Sequence, residues 1–438
     1  MAEIHPFRAL RYNPSRVRLA DVLTQPYDKI TPAMQERYYA ASPGNLVRIV
    51  LGRREPGDSE NDNVYTRAAA YFSDWRRNRI FLADDEPSIY AYAQRFFLPG
   101  ATGREYERRG FIALGKLEDY ATGVVFRHEE TFSAPKADRL KLLDATRAHF
   151  EQLFMVYDDP QRAVDSVLLT ATAAAPADID VNDEYGVRHQ VWKVSQPEVI
   201  RQVQAAMCGK KLIIADGHHR YETALTYRDE RRQAEGSSRP DAPFERVVMT
   251  FVNMAAEGLT ILPTHRVVFG RTGFDVVRMV ERARPFFQVN PLRERVDVAT
   301  AARLLEQAGG DSTTFIAITP TGDFIFQARP EADAAPGLAA LSPRQRRLDV
   351  AKLHKIVLED VLSISAADIR AQTYINYLRD TGEAIERVRH GGANVAFLMN
   401  PVPVGQMRDV AFAGEVMPQK STDFYPKLLS GLTVYALE

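Results

Sequence analysis

The sequence predicts an α/β protein built on mixed sheets, with α+β as the nearest variant. Three observations carry this. Apolar runs of strand length alternate with helical patterns along most of the chain. Ile89 to Leu98 and Gly110 to Leu117 read as two strands joined by a charged hairpin, Pro99 to Arg108. The apolar run Leu212-Ile213-Ile214-Ala215 passes directly into a polar turn and then a helix, with Tyr221, Ala224, Leu225 and Arg228 at helix spacing.

The remaining elements follow in chain order. An extended start and the turn Gln25-Pro26-Tyr27-Asp28 precede a helix from Pro32. Asn45 to Gly52 reads as a strand, 53–62 as a loop, and Val64, Ala68, Tyr71, Phe72 and Trp75 mark an amphipathic helix. His128 to Pro135 is predicted as a loop and Asp138 to Phe150 as a helix. Strands at Leu153–Tyr157, Gly186–Val194 and Arg246–Asn253 enclose helices at Pro160–Ala174 and Pro197–Met207. The pattern changes near Gly270. The predicted division is a main α/β domain over 1–270, a small α/β insert and linker over 271–342, and a C-terminal α/β portion over 343–438. The insert reads helix, strand, helix, strand, strand, and Glu331 to Pro343 reads as a loop. The last portion carries strands at Asn394–Met399 and Leu432–Leu437.

A length of 438 residues suits two or three domains. Apolar residues form 45% and charged residues 26%, as in a soluble chain with a real core. Lys and Arg number 56 against 57 Asp and Glu, so nothing in the charge favours nucleic acid as the main partner. The lone Cys208 excludes an internal disulfide and a multi-cysteine zinc site, and points to the cytoplasm. It is expected to be a small buried residue at a helix end. No signal-peptide core and no apolar run of about eighteen residues is present, so no membrane span is expected. Oligomeric state stays open.

The chemistry concentrates at Asp216-Gly217-His218-His219-Arg220. A strand–turn–helix junction aims free backbone N–H groups and the positive end of a helix dipole at one point. That is a place to hold phosphate. Gly217 permits the tight turn, and Asp216 is expected to cap the helix. Arg220 can grip phosphate oxygens, while His218 and His219 can donate hydrogen bonds or carry protons. Neighbouring histidines project apart, so no metal site is expected. The bland alternative is an Asp-capped helix with two solvated histidines.

Other polar clusters are candidates too. His128-Glu129-Glu130-Thr131 lies where a loop can place catalytic groups, and Lys136, Asp138 and Arg139 follow. His265-Arg266 ends an apolar run and could make a second anion contact or a structural ion pair. Lys420-Ser421-Thr422 has the Lys-Ser/Thr of a phosphate loop without its glycines. Tyr27 and Asp28 could line a pocket, and Asn45 and Arg48 could bind a carboxylate or phosphate.

The run Ala215 to Leu225 resembles the signature of a widespread bacterial and archaeal family of unknown function. So do Gln25-Pro26-Tyr27-Asp28, Asn45-Leu46-Val47-Arg48, His128-Glu129-Glu130-Thr131, Leu262-Pro263-Thr264-His265-Arg266 and Met417-Pro418-Gln419-Lys420-Ser421-Thr422. The turn also resembles the nucleotide-binding turn of the ParB/sulfiredoxin superfamily, with His218 where sulfiredoxins carry their reactive cysteine. Free serine kinases of that superfamily carry Asp-Gly-His-x-Arg, which Asp216, Gly217, His218 and Arg220 match, and an upstream His-Glu pair, which His128-Glu129 matches at a longer separation.

The resemblance implies a ParB/sulfiredoxin-like nucleotide-binding core, ATP or ADP with Mg²⁺, and Glu129 as general base. It implies a small-molecule phosphotransferase acting between a nucleotide and a hydroxyl or phospho-amino acid, with serine or phosphoserine the first choice. A phosphate-ester hydrolase using the same turn is the nearest alternative. A ParB-type nucleotide switch is the alternative of another class, and the charge balance argues against its DNA-binding side.

Overall fold

The computed structural model describes residues 2–99, 103–130, 133–236, 239–308 and 312–438, so Thr131 and the tip of the 99–108 hairpin lie outside the described residues. It is a mixed α/β protein in two compact units. The first comprises Met1–Phe126, Thr131–Thr260 and Pro426–Glu438, and the second Arg127–Glu130 and Ile261–Tyr425.

A nine-stranded sheet organises the first unit. Its order is Val125–Phe126, Leu212–Asp216, Leu153–Tyr157, Arg246–Asn253, Glu105–Lys116, Ile89–Phe97, Arg188–Val194 and Ile179–Asn182, with Ile4–His5 also paired to Glu105–Lys116. Two pairings are parallel, Leu212–Asp216 with Val125–Phe126 and Arg246–Asn253 with Leu153–Tyr157; the others are antiparallel.

Side chains alternate across a sheet, so each strand gives its two faces different work. On one face Ile89, Ala91, Phe111, Ala113, Met155, Ile214, Met249 and Phe251 form a dry core with Val164 and Leu168 of the helix Ala163–Thr172 and Ile200 and Val203 of the helix Pro197–Met207. The other face is polar though buried: Gln94 lies opposite both Arg108 and His189, and Thr250 lies beside Phe154.

Register on the strand Leu212–Asp216 decides the site. Ile213 and Ile214 pair with Val156 and Met155, but the next partner of Phe154 is Asp216, because a bulge falls at Ala215. Regular alternation would put Asp216 on the same side as Ile214, in the dry core. The extra residue turns it onto the polar face with Phe154 and Thr250.

Several sequence expectations change. Asn45 to Gly52 is not a strand, for Val47–Val50 is a helical turn. Asn45 starts it, since its Oδ1 accepts the Val47 N–H at 2.9 Å and its Nδ2 donates to the Asp21 carbonyl at 2.7 Å. The strand expected over Leu432–Leu437 shrinks to Tyr435–Ala436. Cys208 is exposed, because it stands one residue past the helix Pro197–Met207, whose buried stripe ends at Met207.

The second unit is built on six antiparallel strands in the order Phe287–Pro291, Asp323–Ala328, Thr314–Ile318, Val395–Met399, His265–Val268 and Ile375–Leu378. The helix–strand–helix–strand–strand pattern after residue 271 appears as predicted, and its strands join this one sheet. Among the described residues, no helix is long and apolar enough to cross a membrane.

Polar groups are also buried in this unit. Arg266 donates through Nε to His354 Nε2 at 3.2 Å. That nitrogen must therefore be unprotonated. His265 Nδ1 accepts the Met399 N–H at 3.2 Å, which leaves Nε2 to donate to Thr381 Oγ1 at 2.9 Å. Burial first, and Arg266 second, push both histidines down, His265 from 6.5 to about 4. Protons are then taken up preferentially by the unfolded chain, so stability is full above about pH 6.5 and falls as the pH drops toward 4. His265 should contribute a loss of roughly 3 kcal/mol at the acid end. Thermal melts between pH 7.5 and 4.5 should show a steep fall in Tm that His265→Gln makes shallower; an unchanged slope would contradict the assignment.

Candidate functional site

The structure sorts the sequence-predicted residues into two sets. Tyr27, Asp28, Asn45, Arg48, Lys136, Arg139 and Asp216 to Arg220 belong to the first unit. His128, Glu129, His265, Arg266, Lys420, Ser421 and Thr422 belong to the second.

In the first unit, Gly217 follows the bulged strand with φ 96° and is the N-cap of the helix His218–Glu235. A Cβ there would lie 2.9 Å from Leu153 Cδ2 and 3.1 Å from Arg220 Nη2, so glycine is required twice over. The helix is held in place by Tyr221, whose hydroxyl donates to the Glu118 carbonyl at 2.7 Å, and by Arg228, which donates to the Leu117 carbonyl at 3.0 Å.

The expectation that Asp216 caps this helix is overturned. It stands one residue too early, since Gly217 holds the N-cap position. Its carboxylate faces cations instead: Lys427 Nζ is 3.5 Å from Oδ1 and Arg220 Nη2 is 3.4 Å from Oδ2. Burial raises this carboxyl, but Lys427, Arg220, Lys29 and His218 outweigh burial and hold it below the usual carboxylate range. The first turn has its dipole directed to the place where Asp216 meets these cations.

Arg220 reaches back over the turn. Its Nη1 donates to the Gln152 carbonyl at 2.6 Å, and its charge is favoured by Glu151, Asp216 and Asp28. Glu151 accepts the Tyr27 N–H at 2.9 Å, which ties the Gln25–Asp28 turn to the same place. Tyr27 carries Arg139 over its ring at 4.1 Å, and Arg139 also donates to the Val50 carbonyl. A cavity of about 50 Å³ touches Arg220, Glu151 and Arg139, enough for a water or two. His218 is buried and His219 half-buried. Lys136 pairs with Glu222 at 2.8 Å. Asn45 serves its own turn, and Arg48 donates to the Tyr39 carbonyl with its guanidinium 4.4 Å from the Tyr39 ring.

Two important residues, Lys427 and Arg108, are not among the sequence-predicted site residues. Lys427 follows the return of the chain to the first unit at Pro426, where Ser430 pairs with Thr24 and Val434 with Leu10. Arg108 was placed in the hairpin, yet the strand begins at Glu105 and puts it inside the sheet. Fully buried, Arg108 donates to Gln94 and to the Pro426 carbonyl at 2.5 Å, stacks on Phe154 at 4.6 Å and senses Asp216. Burial lowers its pKa to about 10. Counting inward from Ile112 by twos would have found it on the polar face.

Four cations, Lys427, Arg220, Lys29 and Arg108, therefore surround Asp216, and two further carboxylates, Glu151 and Asp28, face Arg220. The arrangement can hold an oxyanion against the helix terminus. It does not offer a Mg²⁺ ligand set, because both Asp216 oxygens face cations. Among the described residues, no group of three or more His, Cys, Asp or Glu is placed to hold a metal.

In the second unit, Glu129 Oε1 accepts from the Thr422 N–H at 3.0 Å and from its hydroxyl at 3.1 Å, and His128 Nε2 lies 2.6 Å from the same hydroxyl. Glu129 Oε2 has no partner among the described residues. Lys420 adopts φ 56°, and its carbonyl accepts from Arg266 at 3.1 Å, while Ser421 donates to the Pro418 carbonyl. Arg266 and Ser421 line a cavity of about 640 Å³.

Three solved structures illustrate what the chain is similar to. A conserved hypothetical protein from Pyrococcus furiosus is 13% identical, with 73% of this chain and 95% of that one covered and a TM-score of 0.35. A free serine kinase variant in complex with AMP is 12% identical over 73% and 92% of the two chains, at a TM-score of 0.37. A C-terminally truncated SbnI from Staphylococcus aureus is 10% identical over 74% and 87%, at 0.36. No curated protein matches the chain. Residues 4–351 match the family described as "Protein of unknown function (DUF1015)", and the chain belongs to that family.

Proposed function

We propose that the chain is a small-molecule phosphotransferase, moving a phosphoryl group between a nucleotide and a hydroxyl-bearing amino acid, with serine or phosphoserine the first substrate to test. One observation supports the reading: the helix His218–Glu235 begins behind a left-handed glycine, directly after a carboxylate, Asp216, that Lys427 and Arg220 face. A helix N-terminus flanked by cations favours a bound phosphate. The match of Asp216, Gly217, His218 and Arg220 to the turn of free serine kinases adds the nucleotide and the serine to this reading.

In phosphoryl transfer, positioning and charge neutralisation do most of the work. The amides of the first turn would hold phosphate oxygens. Arg220 and Lys427 would fix Asp216 and supply positive potential to the charge on the moving group. His218, whose charge acts on Asp216, would carry a proton. Glu129, whose Oε1 accepts from Thr422, is taken as the general base that the likeness of His128-Glu129 to the free serine kinases' pair implies.

Calorimetric titration of the full chain with AMP, ADP and phosphoserine should show saturable binding. Arg220→Ala and Lys427→Gln should each weaken it by about tenfold or more, in keeping with lost charge-assisted contacts. No binding by any phosphorylated compound would remove the basis of the reading.

Phosphoryl transfer between ATP and serine, assayed in both directions, should fall by roughly 10²-fold or more in Glu129→Gln while nucleotide affinity stays put. Full turnover in that variant would eliminate Glu129 as base. Phosphate release from phosphoserine with no nucleotide present would instead identify a hydrolase.

A further inference from the structure

The second unit contains a cavity of about 640 Å³, within the range that small-molecule sites occupy. Three cations, Arg266, Arg347 and Lys352, and three carboxylates, Glu306, Asp333 and Asp349, stand in its wall. Two of these cations are deeply placed: Arg266 is 2% and Lys352 7% exposed. Arg266 is fixed by His354, by the Thr264 carbonyl and by the Lys420 carbonyl. The Lys352 ammonium lies 2.9 Å from Asp333 and 3.3 Å from Thr313 Oγ1, which accounts for two of its three donors. Arg347 has no side-chain partner among the described residues.

Asp349 and Lys352 are the first and last residues of one helical turn, Asp349–Lys352. Residues three apart on a helix share a side, and both line the cavity. Burial raises the Asp349 carboxyl above its ordinary range, against the pull of Thr313 and Lys352. Directly after Lys352 the chain widens into a nine-residue π-helix, Leu353–Val361, which carries His354 to Arg266. Such widenings are rare and recur at functional sites.

The balance of charge points to the ligand. A wall with equal numbers of both signs gives no advantage to a phosphate dianion, which would leave the carboxylates opposed. It suits a compact molecule that carries both signs itself. We propose that this cavity binds a zwitterion of the free α-amino acid class, its carboxylate toward Lys352 and Arg347 and its ammonium toward Asp349. The site shares no residue with the Asp216–Arg220 turn, and the proposal does not depend on the phosphotransfer reading.

The test is calorimetric titration of the full chain with each of the common α-amino acids singly, with their N-acetyl derivatives, and with inorganic phosphate. At least one amino acid should bind, and its N-acetyl derivative should bind at least tenfold more weakly. Lys352→Met should abolish binding. Arg347→Ala, at an exposed position that spares the fold, should weaken it about tenfold. Three results would overturn the proposal: no amino acid binding to the unmodified chain, binding that survives both cavity substitutions, or phosphate binding there in place of an amino acid.

Discussion

The placement of Asp216 between Lys427 and Arg220 is the interaction on which the first unit's chemistry depends. It exists because one extra residue at Ala215 turns the end of an apolar strand onto the polar side of the sheet. A strand in perfect register would have buried that carboxylate among Ile214, Met155 and Phe251, where an ionised group is not tolerated. The same displacement leaves Gly217, and not Asp216, at the cap position.

That placement also accounts for the buried charge on the polar face. Arg108 and Lys427 are both shielded from water, and neither is a usual interior residue. Arg108 is supported by Gln94, by the Pro426 carbonyl and by the Phe154 ring, so its desolvation is met by hydrogen bonds and stacking. The segment Pro426–Glu438 brings both the Pro426 carbonyl and Lys427 to this face. A chain that reaches its site from residues more than two hundred positions apart leaves no mark in any local window of sequence.

Legibility follows from this. The strand–turn–helix at 212–235 is written locally, in an apolar run, a glycine and a helical period, and it stands as predicted. The strands Leu153–Tyr157 and Arg246–Asn253 and the helix Pro197–Met207 likewise match their patterns residue for residue. Asn45 to Gly52 misled because its β-branched run outweighed the turn that the Asn45 side chain starts. Lys427, Glu151 and Arg108 escaped because their roles are set by pairing and return of the chain. His265-Arg266 reads only as the end of an apolar run, and the cavity that Arg266 shares with Asp349 and Lys352 in the second unit needs the fold to be seen.

The most direct measurement is an amide spectrum of the chain labelled with ¹⁵N-histidine, which reports on its nine histidines, two of them in the first turn after Gly217. On saturation with ADP or phosphoserine, the account predicts that the amide signals of His218 and His219, assigned by single substitution, shift together while that of His5 does not. Saturable binding that leaves both signals in place would contradict it.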